Sequence, residues 1–195
     1  DAKYRVTTED KQRYARTEKL FESYKEFINK YMGGDKNTLM KEIKEYATLF
    51  MENLRPDCGE YALTEEVGLD RLNVMMFSLK MSTMIPYILY LLVNQKDKNE
   101  IVNICEYLEA YMMRRLICHV ETRSYSKMYS DSLLTNSILA LKDLQEFVNG
   151  KDSDRLTAPV DDADIQKSIN GGVYLINEQN MGILYMLETR LRSDP

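Results

Sequence analysis

Apolar residues recur at every third or fourth position along almost the whole chain, and the strict alternation of a half-buried strand is nearly absent. Near the amino end Leu20, Phe21, Tyr24, Phe27, Ile28 and Tyr31 gather on one face of a helix. Gly33-Gly34 ends that helix, because glycine tolerates the left-handed backbone favoured just past a helix end. Asp35 or Asn37 can then cap the next helix by accepting backbone N–H bonds. Its stripe is Leu39, Ile43, Tyr46, Ala47, Phe50, Met51 and Leu54, so residues 9–54 predict an antiparallel helical hairpin.

Residues 55–68, with Pro56 and Gly59, interrupt the period and predict a longer connection. Residues 69–80 and 82–94 predict two helices, or one kinked helix with Pro86 tolerated in a first turn. The apolar run MIPYILYLLV, residues 84–93, is shorter than the roughly 18 residues of a spanning helix and predicts a buried core helix instead. Residues 100–119 follow, with Ile101, Ile104, Cys105, Leu108, Tyr111 and Met112 in register. The period then runs through 124–148 on Leu134, Ile138, Leu141, Leu144 and Val148, with Asn149-Gly150 as the stop. Beyond an acidic stretch, Asp161 with Asp164 can open a short helix that Gly171-Gly172 ends, and a last helix carries Leu184, Leu187 and Leu191. The pattern predicts an all-α fold, an irregular bundle of about seven or eight helices. No fixed-period self-similarity suggests a solenoid. A single domain over 1–195 is expected, with the 9–54 hairpin packed on a helical core of 69–192.

Composition narrows the classes. Hydrophobic residues at 44% and charged residues at 29% are too apolar for a disordered segment. With 26 Lys+Arg against 31 Asp+Glu the chain carries a net charge of −5, so it lacks the overall electrostatic footprint of a dedicated DNA-binding domain, although a local basic patch is compatible with that total. Cys58, Cys105 and Cys118 are odd in number and follow no framework spacing, and no apolar signal core precedes them. A cytoplasmic, non-membrane protein is expected. The chain begins at Asp1 rather than Met, as a domain cut from a longer protein or a processed chain would.

The chemistry-bearing residues are few. One histidine, His119, rules out paired-histidine nuclease centres and HExxH proteases within this sequence. Cys118 and His119 are neighbours that point about 100° apart on a helix, which suits neither a shared metal nor a nucleophile–base pair. Neither a GxxxxGK[ST] loop nor a GxGxxG turn is present to cradle phosphate. No metal, cofactor or catalytic residue is therefore expected. Paired acids such as Glu65-Glu66 and Asp161-Asp162 sit in loops or at caps, where solvated or capping roles are usual.

The segment YLEAYMMRRLICHVETRSYSKMY, residues 107–129, is the exception. Continuing the apolar stripe past Met112 brings Arg115 to the core-facing side, where a guanidinium needs a carboxylate or carbonyl partner; Glu109 or Glu188 can form that ion pair. The competing reading has Arg114, Arg115, His119, Arg123, Tyr125 and Lys127 as a basic, aromatic surface for phosphate backbones.

Here the chain resembles the helical middle region of the GmrSD-type modification-dependent restriction endonucleases and their bacterial and archaeal relatives. The resembling pattern is Glu109, Arg114-Arg115, Cys118, Thr122-Arg123-Ser124-Tyr125 and Tyr129, with Arg123 in place of the more usual lysine. Upstream, LNVMMFSLKMSTMIPYILYLL is similar to the family's leucine-rich stretch and proline-initiated helix; downstream, Tyr174 and ILYMLE, residues 183–188, look like its last helix. The similarity spans about 69–192. It implies flanking domains, a ParB-like nucleotide hydrolase before and an HNH nuclease after, whose Asp-Gly-Gln-Gln-Arg and Glu-His elements this chain lacks. The implied role is a non-catalytic linking domain between them, with DNA as a further candidate partner. The alternatives are a stand-alone helical module binding a partner helix or an apolar ligand, suggested by 12 Met and 14 Tyr, and a small carboxylate-based enzyme.

Overall fold

The computed structural model describes residues 4–14, 16–58, 68–150, 157–172 and 175–193. Among them every regular element is helical, and none of the helices is long and apolar enough to cross a membrane. Tyr174, Glu65 and Glu66 lie outside the described residues. The chain divides into two compact units, Asp1–Glu52 and Asn53–Pro195.

The first unit contains α1 (Thr8–Tyr14), α2 (Leu20–Tyr31) and most of α3 (Lys36–Asn53). Gly33 and Gly34 both take positive φ between α2 and α3. Asp35 caps α3 by accepting from the Thr38 amide at 3.0 Å. Ile28 is buried, and Phe27 meets Tyr4, Tyr14 and Tyr31 ring to ring. The period was legible here but the burial was not: Leu20, Phe21, Ile43 and Met51 are exposed. Two helices and a short third enclose too little volume to cover every apolar position. The centre of the unit is polar instead. Buried Asp10 takes hydrogen bonds from the Lys30 ammonium and the Tyr31 hydroxyl, and pairs with Arg13. The bonds from Lys30 and Tyr31 hold its carboxyl well below the ordinary aspartate range.

The second unit is built around α6 (Lys98–Ile117), which Asp97 caps through the Asn99 amide at 2.9 Å. Against α6 pack α4 (Leu69–Asn73, continued by a wide helical turn, Val74–Ser78), α8 (Leu141–Asn149) and α9 (Asp162–Asn170). α5 (Ile85–Asn94) carries Pro86 in its first turn, as the sequence allows. α7 spans 125–135 and has a similar wide turn in its middle, and α10 (Asn177–Ser193) closes the unit. The described residues thus hold ten helices rather than seven or eight. One reason is α1. The other is that the apolar period of 124–148 hides a break: Ser137 takes positive φ, and the Ile138 and Ser137 amides bond back to Leu133 and Leu134, which ends α7 before α8 begins. Leu72, Met75, Met76, Met84, Tyr87, Ile104, Leu108, Tyr129 and Leu144 form the core.

The last helix faces opposite to its leucines. Gly182, Met186 and Thr189 point inward, and Gly182 lies so near Leu79 that an added Cβ would stand 2.1 Å from a leucine methyl. Met181, Leu184, Leu187 and Leu191 line the outer face, with Leu184 67% and Leu191 74% exposed.

Candidate functional site

Two arginines occupy the interior of the second unit, Arg71 fully withdrawn from solvent and Arg115 1% exposed. Arg71 stands one turn before Met75 on α4, so the face that buries the methionine buries the guanidinium too. It binds Glu109 of α6 as a fork, Nε to Oε2 and Nη2 to Oε1, both at 2.8 Å. Nη2 also donates to the Met186 carbonyl at 3.0 Å, and Nη1 to the Thr189 hydroxyl. One charged group therefore joins α4, α6 and α10. Burying it is sustained only because its donors are matched by oxygens. Cys105, one turn before Glu109, has its thiol pushed up to about 12 by burial and, less, by the Glu109 charge.

Arg115 makes a second internal junction. Its Nε donates to the Tyr125 hydroxyl at 2.7 Å, Nη2 to the Glu121 carbonyl at 3.3 Å, and Nη1 to the Ala158 carbonyl. The Tyr111 and Tyr125 rings flank the guanidinium, each centroid 5.3 Å away, so cation–π attraction adds to the hydrogen bonds. Beside it Arg114 donates to the Val160 carbonyl at 3.2 Å and pairs with Asp162 at 2.6 Å. Tyr111 donates to the Thr157 carbonyl and Ser168 to the Ile117 carbonyl, both at 2.8 Å. The carboxyl end of α6 thus straps the 157–170 segment onto the bundle.

This geometry corrects two sequence readings. The ion pair of Arg115 with Glu109 or Glu188 does not form: Glu109 serves Arg71, and Glu188 pairs with Arg192 on the exposed side of α10. The continuous basic surface does not form either. Arg115 and Tyr125 are buried, and Arg114 is turned to Val160 and Asp162, which leaves His119, Arg123 and Lys127 exposed. Arg71, the centre of the larger junction, escaped the sequence reading, although the stripe argument applied to Arg115 would have flagged it.

His119 and Arg123 do share a feature: with Lys80 they border a cleft of about 530 Å³, whose wall includes Glu121 and Tyr125. Arg123 pairs with Glu121 at its rim. His119 closes α6 at positive φ, with the Val120 amide bonded to Arg115 and its own amide to Leu116. Lys80 closes the wide turn after α4 at positive φ as well. Cys118, by contrast, lines a different cleft with Asp164, Lys167 and Ser168, and burial, followed by the Asp164 charge, raises its thiol. Among the described residues no three His, Cys, Asp or Glu side chains converge as a metal site would require. No family model matches the chain, and no curated protein or solved structure is similar to it.

Proposed function

We propose that the chain is a non-catalytic helical linking domain of a GmrSD-like restriction or DNA-defence protein, working in the cytoplasm between a nucleotide-hydrolysing and a nuclease domain. The observation that carries the reading is α10. Its inner face is locked to α4 and α6 by Arg71, while its outer face presents Met181, Leu184, Leu187 and Leu191 to solvent. A helix held rigidly at its back and apolar at its front can pass a displacement to a neighbouring domain without bending. The charge chemistry is likewise spent inside, on Arg71 and Arg115, as befits a scaffold. Any DNA contact in this reading falls to His119, Arg123 and Lys127 rather than to the paired arginines.

The test uses the whole protein that contains this chain, with Leu184→Glu and Leu191→Glu on the exposed face. Nucleotide hydrolysis and DNA affinity should persist while nucleotide-dependent DNA cleavage falls by at least about tenfold, the rate equivalent of roughly 1.4 kcal/mol of lost coupling. Unchanged cleavage would reject the linking role of this face.

A further inference from the structure

The cleft between the two left-handed helix ends is the feature that neither the scaffold nor the packing explains. Gly33 and Gly172 follow helices at positive φ without a side-chain penalty. Among the described residues three helix ends take positive φ on a residue other than glycine: Ser137 after α7, and Lys80 and His119, which both border this cleft. Among the described residues neither side chain is engaged in a hydrogen bond or ion pair. Backbone strain accepted to hold particular side chains in one place is a mark of a site.

Arg123 borders the cleft as well; among the described residues it pairs with Glu121, and its side chain is 86% exposed, where such a pair contributes little and gives way to a better anion. Below these polar groups the cleft is apolar: Met81, Met112, Leu116 and Leu175 line it, and Met81 is the one methionine of the 75–84 stretch that is not buried. Thr83, Thr122 and Gln179 add neutral hydrogen-bonding groups. The volume, about 530 Å³, suits a single small molecule.

We infer that this cleft binds a small amphipathic anion, a carboxylate- or phosphate-headed molecule whose head group meets Lys80, His119 and Arg123 and whose apolar body lies against Met81, Met112, Leu116 and Leu175. The inference is independent of the linking role, since it concerns a different surface from the outer face of α10.

The experiment titrates the full chain with anilinonaphthalene sulfonate, a fluorescent anion of this shape, and then displaces it with decanoate or adenosine monophosphate. One saturable site is expected. The Lys80→Gly/His119→Gly double variant should weaken it at least about tenfold while keeping or raising the thermal midpoint, because glycine suits both backbone positions. Arg123→Gln, at an exposed position, should weaken it in the same direction. Leu184→Glu should leave it unchanged, which separates the cleft from the apolar face of α10. Displacement by decanoate identifies a carboxylate ligand and displacement by adenosine monophosphate a phosphate. Absence of a saturable site, indifference to the cleft variants, or displacement by neither competitor would overturn the assignment.

Discussion

Arg71 and Glu109 meet in a two-pronged ion pair, both bonds 2.8 Å long, with the arginine wholly removed from water. Taking away one member strands the other. Arg71→Met should therefore destabilise the second unit by about 3–5 kcal/mol, whereas the Arg71→Met/Glu109→Leu pair should recover most of that loss. Urea unfolding of the two single variants and the double variant gives the coupling energy directly. Additive losses would show that the two side chains do not act as a pair.

Buried phenols give the protein an alkaline limit. Burial raises the Tyr125 hydroxyl above its ordinary value near 10, against the opposing effect of the Arg115 hydrogen bond, and burial raises Tyr129 still further. In the folded chain these groups hold their protons to higher pH than in the unfolded chain. The stability they contribute is therefore complete below pH ~10 and is lost as pH rises through the folded values, by up to about 1.4 kcal/mol per pH unit for each phenol. Unfolding free energy measured from pH 8 to 11 should fall beyond about 10, and Tyr125→Phe should flatten the decline.

The three thiols should differ in reactivity. Cys58 and Cys105 are buried, and Cys105 is pushed up to about 12, while Cys118 is partly open to solvent. A disulfide reagent at neutral pH should label Cys118 first, slowly because its thiol is also raised, and reach Cys105 only at the rate of unfolding. Labelling of Cys105 as fast as that of Cys118 would mean that the α6 core opens far more readily than its packing implies.

The left-handed positions offer a measurement without any ligand. Replacing His119 or Lys80 by glycine relieves a side-chain clash with the backbone, so each change should raise stability by up to about 1 kcal/mol. Alanine at the same places keeps the strain and should give no such gain. If glycine destabilises instead, the native side chains are making packing contacts that outweigh the strain.

Periodicity made the helices legible, and with them Pro86 in a first turn, the Asp161 cap on the Asp164 amide and the Gly33-Gly34 turn. Those features depend on residues close in sequence. What the sequence concealed depends on which of two similar faces wins burial. On α10 a glycine, a methionine and a threonine face inward because Arg71 needs the Met186 carbonyl and the Thr189 hydroxyl, while the leucines are left outside. That Arg115 is interior followed from its place in the stripe. Its partners did not, because the Ala158 and Glu121 carbonyls are backbone groups brought in by loops that carry no side-chain signal. The cleft was half visible: His119 and Arg123 were named from one segment, but Lys80 comes from a helix end thirty-nine positions earlier than His119 and joins them only through tertiary structure.

The most direct test of the claim that the paired arginines hold the bundle together is native-state hydrogen exchange across α9. Arg114→Ala removes the bonds to Val160 and Asp162 while leaving Arg115 in place. The account predicts that amides of 162–170 lose about three- to tenfold of their protection, and those of α4 and α10, held by Arg71, keep theirs. Unchanged protection of α9 would contradict it, because the arginine would then be free to serve a partner outside the fold.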